Sequence, residues 1–240
     1  MSDHTRHELE PGLWLDARRA VWLAETRTLA VADLHLGYAW AHRHEGNLLP
    51  LSARENTVER VLDLVESYAP REVVLLGDIV HRAVPVPALQ DEMRRLCATI
   101  SPHAALCLLR GNHDRKLDVL LRDCGIDAEL KAAHNAGRHQ LLHGDAIDAE
   151  TLLHLARASG GRVIFGHEHP AITISGGAGN RAKCACFLAG KNALIVPSFS
   201  AWASGCDVRA RDFLSPLAQA VAWERAYAIL AGKLLPMRLG

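Results

Sequence analysis

No stretch of the chain approaches the ~20 consecutive apolar residues of a membrane helix. The opening residues, MSDHTRHELEPG, carry no apolar signal core. The expected compartment is therefore the cytoplasm, and no membrane partner is expected. Net charge is also missing: 27 Asp and Glu balance 27 Lys and Arg among 240 residues. That removes any bulk attraction to nucleic acid or lipid, so a nucleic-acid partner would need a local basic patch that net charge does not support. Aromatic residues make up 5% and are scattered, which does not suggest a clustered base-stacking platform. The six cysteines (Cys97, Cys107, Cys124, Cys184, Cys186 and Cys206) form no C-x-x-C pair. Cys184-x-Cys186 is too tight for a zinc knuckle, and the set reads as reduced and structural. A G-x-S-x-G nucleophile motif is absent as well.

What remains is an ordinary globular composition with 14 histidines, several of them in small polar clusters. The length suits one domain, and no linker, tandem repeat or low-complexity segment interrupts it. Short apolar runs at 13–15, 20–24 and 28–32 read as strands. Residues 52–68 read as an amphipathic helix, with Ser52 and Glu55 as a capping box and Pro70 beyond its end. The run at 73–76 is a buried parallel strand by pattern. A helix at 88–100 and a strand at 105–109 repeat the unit, and a short helix at 116–123 follows. Strands are expected near 129–133 and 138–142, a helix at 149–159 and a strand at 162–165. Two or three more strands fill 171–196 around a Gly-rich turn at 175–180, and the tail reads as helical near 216–232.

Five of the apolar strands end in polar clusters: Asp33-x-His35, Gly77-Asp78, Gly111-Asn112-His113-Asp114, His143, and Gly166-His167-x-His169. In α/β sheets the loops at strand carboxyl ends converge on the ligand site. The clusters offer carboxylate, amide and imidazole donors, suited to manganese, iron, zinc or cobalt. Strand alternation is expected to aim the i and i+2 residues of D-x-H and H-x-H at one point. Glycines beside them (Gly37, Gly77, Gly111, Gly144 and Gly166) let the backbone turn and approach closely.

The ordered set D-x-H…GD…GNHD…H…GHxH, across residues 33–169, resembles the signature of calcineurin-type metallophosphoesterases. Val31–Gly37, Gly166–Pro170, Val196–Phe199 and Gly205–Val208 resemble one branch, the ICC-like phosphoesterases that include a DNA-ligase-associated group. The resemblance implies an α/β sandwich of four-layer type, two β-sheets flanked by helices. It implies two divalent metal ions, manganese first: Asp33, His35 and His169 on one, Asn112, His143 and His167 on the other, Asp78 between them. It implies hydrolysis of phosphate esters by a metal-bridging hydroxide, with a diester preferred over a monoester. His113 would act on the substrate phosphate or leaving oxygen, and Asp114 would orient it. His81, three residues after Asp78, resembles the GD-apolar-apolar-His spacing of nucleases in the superfamily, and with Arg115 it is a candidate phosphate contact. His42 and His44 read as surface histidines in a loop, and Glu168 points away from the metals. A nuclease acting on DNA ends and a non-catalytic metal-binding scaffold are the alternative readings. Nothing in the pattern specifies an oligomeric state.

Overall fold

The computed structural model describes residues 5–47, 49, 56–145, 148–176, 179–203 and 205–239. The chain opens with four strands, β1 (Arg6–Glu10), β2 (Leu13–Asp16), β3 (Ala20–Leu23) and β4 (Thr28–Val31), joined by tight turns into an antiparallel meander. Helices α1 (Tyr38–His44) and α2 (Thr57–Tyr68) follow. Then β5 (Glu72–Leu75), α3 (Pro87–Ile100), β6 (Ala105–Leu109), α4 (Leu117–Asp123) and β7 (Leu130–Lys131) extend the first sheet with parallel pairing.

The second sheet begins at β8 (Ala133–Ala136) and β9 (His139–Leu142), an antiparallel pair. After α5 (Ala149–Ser159), β10 (Val163–Phe165) lies parallel to β9. β11 (Pro170–Ser175), β12 (Arg181–Gly190), β13 (Ala193–Ile195), β14 (Cys206–Asp207), α6 (Pro216–Gln219), β15 (Trp223–Leu230) and β16 (Lys233–Arg238) complete the chain. The strand orders are β1-β2-β3-β4-β5-β6-β7 and β14-β11-β12-β13-β10-β9-β8, with β15 and β16 attached along β12.

Strand parity builds four layers from these two sheets. On β4 and β5, Leu29, Val31, Val73 and Leu75 face the helices α1–α4. Their neighbours Ala30, Ala32, Val74 and Leu76 face the second sheet. From the second sheet, Ile164, Leu194 and Val196 enter the same central core, while Val163, Phe165 and Ile195 face α5 and α6. With both faces of both sheets covered, the central strands read as unbroken apolar runs. Ala32 bridges in parallel to Ser198, so the carboxyl ends of the two sheets meet.

The expected sandwich and most expected elements are present, with specific departures. β1 has one apolar residue in five, RHELE, and forms because the edge of β2 offers unpaired backbone groups. His42 and His44 lie on helix α1 rather than in a loop. The segment near 129–133 divides between β7 of one sheet and β8 of the other. The helix expected at 216–232 is a single turn, and Trp223–Leu230 is strand β15, with Ala226 and Ala228 on one face and Tyr227 on the other. Alanine and leucine favour helix weakly, and pairing along β12 overrides that preference. Ser52 and Glu55 lie outside the described residues, as does the middle of the Gly-rich turn. All six cysteines are free.

Candidate metal centre

The five polar clusters sit on one rim, three at the ends of β4, β5 and β6 and two at the ends of β9 and β10. Around His143 the donors converge most closely. Its Nδ1 lies 2.9 Å from the carbonyl oxygen of Leu76 and donates to it, which leaves Nε2 as the inward-facing atom. That Nε2 stands 3.0 Å from Asn112 Oδ1, 3.2 Å from His167 Nδ1 and 3.4 Å from Asp78 Oδ1. His167 Nδ1 is also 3.1 Å from Asn112 Oδ1. Several acceptor lone pairs facing one point are stable only around a cation or a proton. Burial alone would lower the pKa of His143, but Asp33 and Asp78 hold it above the ordinary histidine value.

The second donor set stands beside it. His35 Nε2 lies 3.2 Å from His169 Nε2, which is 3.6 Å from Asp33 Oδ2. Burial, with Asp33 opposing it and His169, His113 and His81 adding to it, pushes His35 down to about 3. It is thus a neutral imidazole, the form that binds metals. Burial would raise Asp33, yet the hydrogen bond and charge of His169, with His143 and His35, hold it below the usual carboxylate range. Asp78 is raised, by burial first, with His143 opposing and Asp33 adding to the rise. Its Oδ1 stands 3.4 Å from His143 Nε2 in one set and its charge raises His169 in the other, which suits a carboxylate shared by two cations. Both sets suit divalent ions with borderline nitrogen and hard oxygen preferences.

The backbone is strained where these side chains leave it. Asp33, His35, Asp78, His167 and His169 all have left-handed φ angles, between 46° and 66°. Left-handed turns, rather than strand alternation, therefore bring the i and i+2 residues to one point. The glycines permit the close approach: a Cβ at Gly111 would fall 2.2 Å from Asp78 Oδ1, and one at Gly166 would fall 2.7 Å from Asp33 Oδ2.

His113 lies at the mouth, its Nε2 3.9 Å from Asp78 Oδ2 and its Nδ1 2.9 Å from the carbonyl oxygen of His81. This carbonyl holds the His113 ring, and the Asp114 carboxylate is bonded to backbone amides. The Asp114 carboxylate accepts from the amides of Gly111 (2.9 Å), Val80 (3.2 Å) and Ile79 (3.3 Å), so it staples the loop after β5 to the loop after β6. Burial raises its pKa to about 6, against the pull of those amides. His81 faces the cleft, with its ring 5.2 Å from that of His113. Arg115 lines an adjoining cavity of about 570 Å³ together with His81, Asn112 and His113. Arg82 is paired with Glu45.

Three features escape sequence reasoning. Glu168 is buried and accepts from the amides of Leu214 and Ser215, which pins the late loop to the rim. Arg19 donates to the carbonyls of Ser198 and Ser200, and Arg60 to that of Phe199, which fixes the 198–200 segment against Asp33. Tyr38 and Trp202 stack at 5.5 Å and 9° in a cleft of about 370 Å³ that also holds His35, Asp78 and His113. Only a structure joins aromatics so distant in sequence.

No curated protein matches this chain. Among solved structures, the Pseudomonas putida nuclease MPE is similar, with 23% identity, a TM-score of 0.67 and 94% of each chain covered. The E. coli phosphoesterase YfcE covers 89% of this chain and 99% of its own at 14% identity, with a TM-score of 0.42. The family model for calcineurin-like phosphoesterases matches residues 26–169, from β4 through the last candidate ligand. The chain belongs to the calcineurin-like phosphoesterases, hydrolases that use divalent metal ions in a binuclear site.

Proposed function

We propose that this chain hydrolyses phosphodiesters at a binuclear centre, manganese being the first metal to test, with iron, zinc and cobalt suited to the same donors. Asp33, His35 and His169 hold one cation, Asn112, His143 and His167 the other, and Asp78 lies between them. When bound, two cations there would neutralise charge on the phosphoryl oxygens and lower the pKa of bound water. His113, oriented by the His81 carbonyl, presents Nε2 to the phosphate and supplies a proton to the leaving oxygen. His81 and Arg115 contact the phosphate or its substituents. The supporting observation for this metal centre is the convergence on His143 Nε2 of Asn112, His167 and Asp78 oxygen and nitrogen atoms within 3.4 Å.

Diester preference is supported by the shape of the mouth. The cleft beside Tyr38 and the cavity beside Arg115 share His81, Asn112 and His113, so space opens on both sides of the phosphate position. A monoester has one substituent to place, a diester two. Metal-stripped protein reloaded with Mn²⁺ is expected to hydrolyse bis(p-nitrophenyl) phosphate faster than p-nitrophenyl phosphate, and Asp78→Ala to lose both activities. Absence of turnover with two metals verified bound overturns this reading.

A nuclease reading has one favouring observation, the stacked Tyr38–Trp202 pair beside the centre, since base–aromatic stacking stabilises single-stranded nucleic acid by ~1–3 kcal/mol per base. The similar Pseudomonas putida structure is a nuclease, and the ligase-associated resemblance points the same way. Under this reading Trp202→Ala raises KM for a single-stranded oligonucleotide and leaves hydrolysis of the small diester intact.

A further inference from the structure

We propose that Glu72, Cys107 and His134 form a further metal site, separate from the first, for zinc or another thiophilic divalent ion. Glu72 opens β5, six residues before Asp78, which places it at the opposite end of the sheet from the candidate metal centre. At ~3.3 Å per strand residue that is on the order of 15–20 Å away. Cys107 lies on the neighbouring strand β6, beside Val74 in register and on the same face as Glu72. His134 comes from β8 of the other sheet, and its Nε2 is 2.8 Å from Glu72 Oε2. The thiol sulfur, a carboxylate oxygen and an imidazole nitrogen all lie within 4.8 Å of one another.

These donors suit a tetrahedral zinc ion with water in the fourth position, with bonds of ~2.0–2.3 Å. The charges also match: a thiolate and a carboxylate together offset a dication, and the imidazole binds neutral. Cys107 is 5% exposed, whereas the side chains of His134 and Glu72 are 20% and 26% exposed. The ion would therefore be covered by the central core on one side and reachable from solvent on the other. Binding replaces the sulfur-bound proton of Cys107, which is released to solvent. A bond from β5 and β6 to β8 would tie the two sheets together at the end where the candidate metal centre does not.

The donors of the candidate metal centre include no sulfur, and this gives the test its selectivity. Full-length protein carrying Cys206→Ser, which removes the exposed thiol near the main cleft, is stripped and reloaded with Co²⁺. Three cobalt ions per chain and a sulfur-to-cobalt charge-transfer band in the near ultraviolet are expected. Cys107→Ser, added to this protein, is expected to bind two ions and show no such band. His134→Gln, a half-buried strand position whose loss leaves the core intact, should likewise lose the band should the Cys107 variant fail to fold. Two ions per chain without a sulfur band, or a band unchanged in either variant, overturns the proposal.

Discussion

The imidazole of His113 is held by the backbone of His81, whose carbonyl oxygen lies 2.9 Å from Nδ1. The bond fixes the tautomer, with Nδ1 donating and Nε2 turned toward Asp78. It also links the GD loop to the GNHD loop at the mouth of the cleft. His113 lies at the mouth of the centre, where its ring nitrogen, with those of His35 and His81, falls within a 4.8 Å group; the proposed mechanism gives it the role of acid, not ligand. His113→Ala is therefore expected to lower kcat by ~10²–10⁴-fold, the usual range for a lost general acid. Two metals should remain bound by elemental analysis. Loss of one metal in this variant would make His113 a ligand.

Asp114 is a structural group in this arrangement. Asp114→Ala leaves three amides without a partner, and each unsatisfied buried group costs ~1–3 kcal/mol. The denaturation midpoint should fall accordingly, by more than for Asp114→Asn, which keeps one acceptor oxygen. An unchanged midpoint with lost activity would instead favour a role in the reaction.

Gly111→Ala places a methyl group 2.2 Å from Asp78 Oδ1 and 2.3 Å from the Asp78 amide nitrogen. Backbone cannot yield as a long side chain does, so Asp78 must move. The expected result is weaker binding of both metals, measured by titration calorimetry, since Asp78 faces His143 at 3.4 Å and acts on His169 through its charge.

Metal affinity should fall steeply on acidification. Burial would lower His143 and His169, but Asp33 and Asp78 raise both in the metal-free protein, and Asp78 is itself raised. Each entering cation must displace these protons. Dissociation constants measured across the histidine range should rise as pH falls, and bound metal should stabilise the fold by ~2.7 kcal/mol at a hundredfold excess over Kd. A pH-independent Kd would contradict this.

Asp16 supplies a separate acid-sensitive contact, two strands across from the end of β4. Burial would raise its pKa, but Arg18, through its side chain and amide, and the Tyr68 hydroxyl hold it below 3.8. A depressed carboxylate contributes stability that is fully present above the unfolded value and lost as pH falls through the folded one. Acid titration of stability should therefore show a loss below about pH 4 that is reduced in Asp16→Asn.

The sequence by itself determined the chemistry and the frame. Apolar runs ending in Asp, Asn and His specify parallel strands whose ends converge, and that pattern was legible without coordinates because strand periodicity and donor type are local properties. Tertiary structure decided what depends on distant partners. Trp223–Leu230 became a strand because β12 offered it an edge, against its own helix preference. Asp114 accepts from amides of two loops because the fold brings the ends of β5 and β6 together. Tyr38 meets Trp202, and His134 meets Glu72, only because the folded chain places separate elements side by side. Left-handed turns at five candidate ligands also lay beyond the sequence pattern, since Asp and His only favour that region without requiring it and packing must hold them in place.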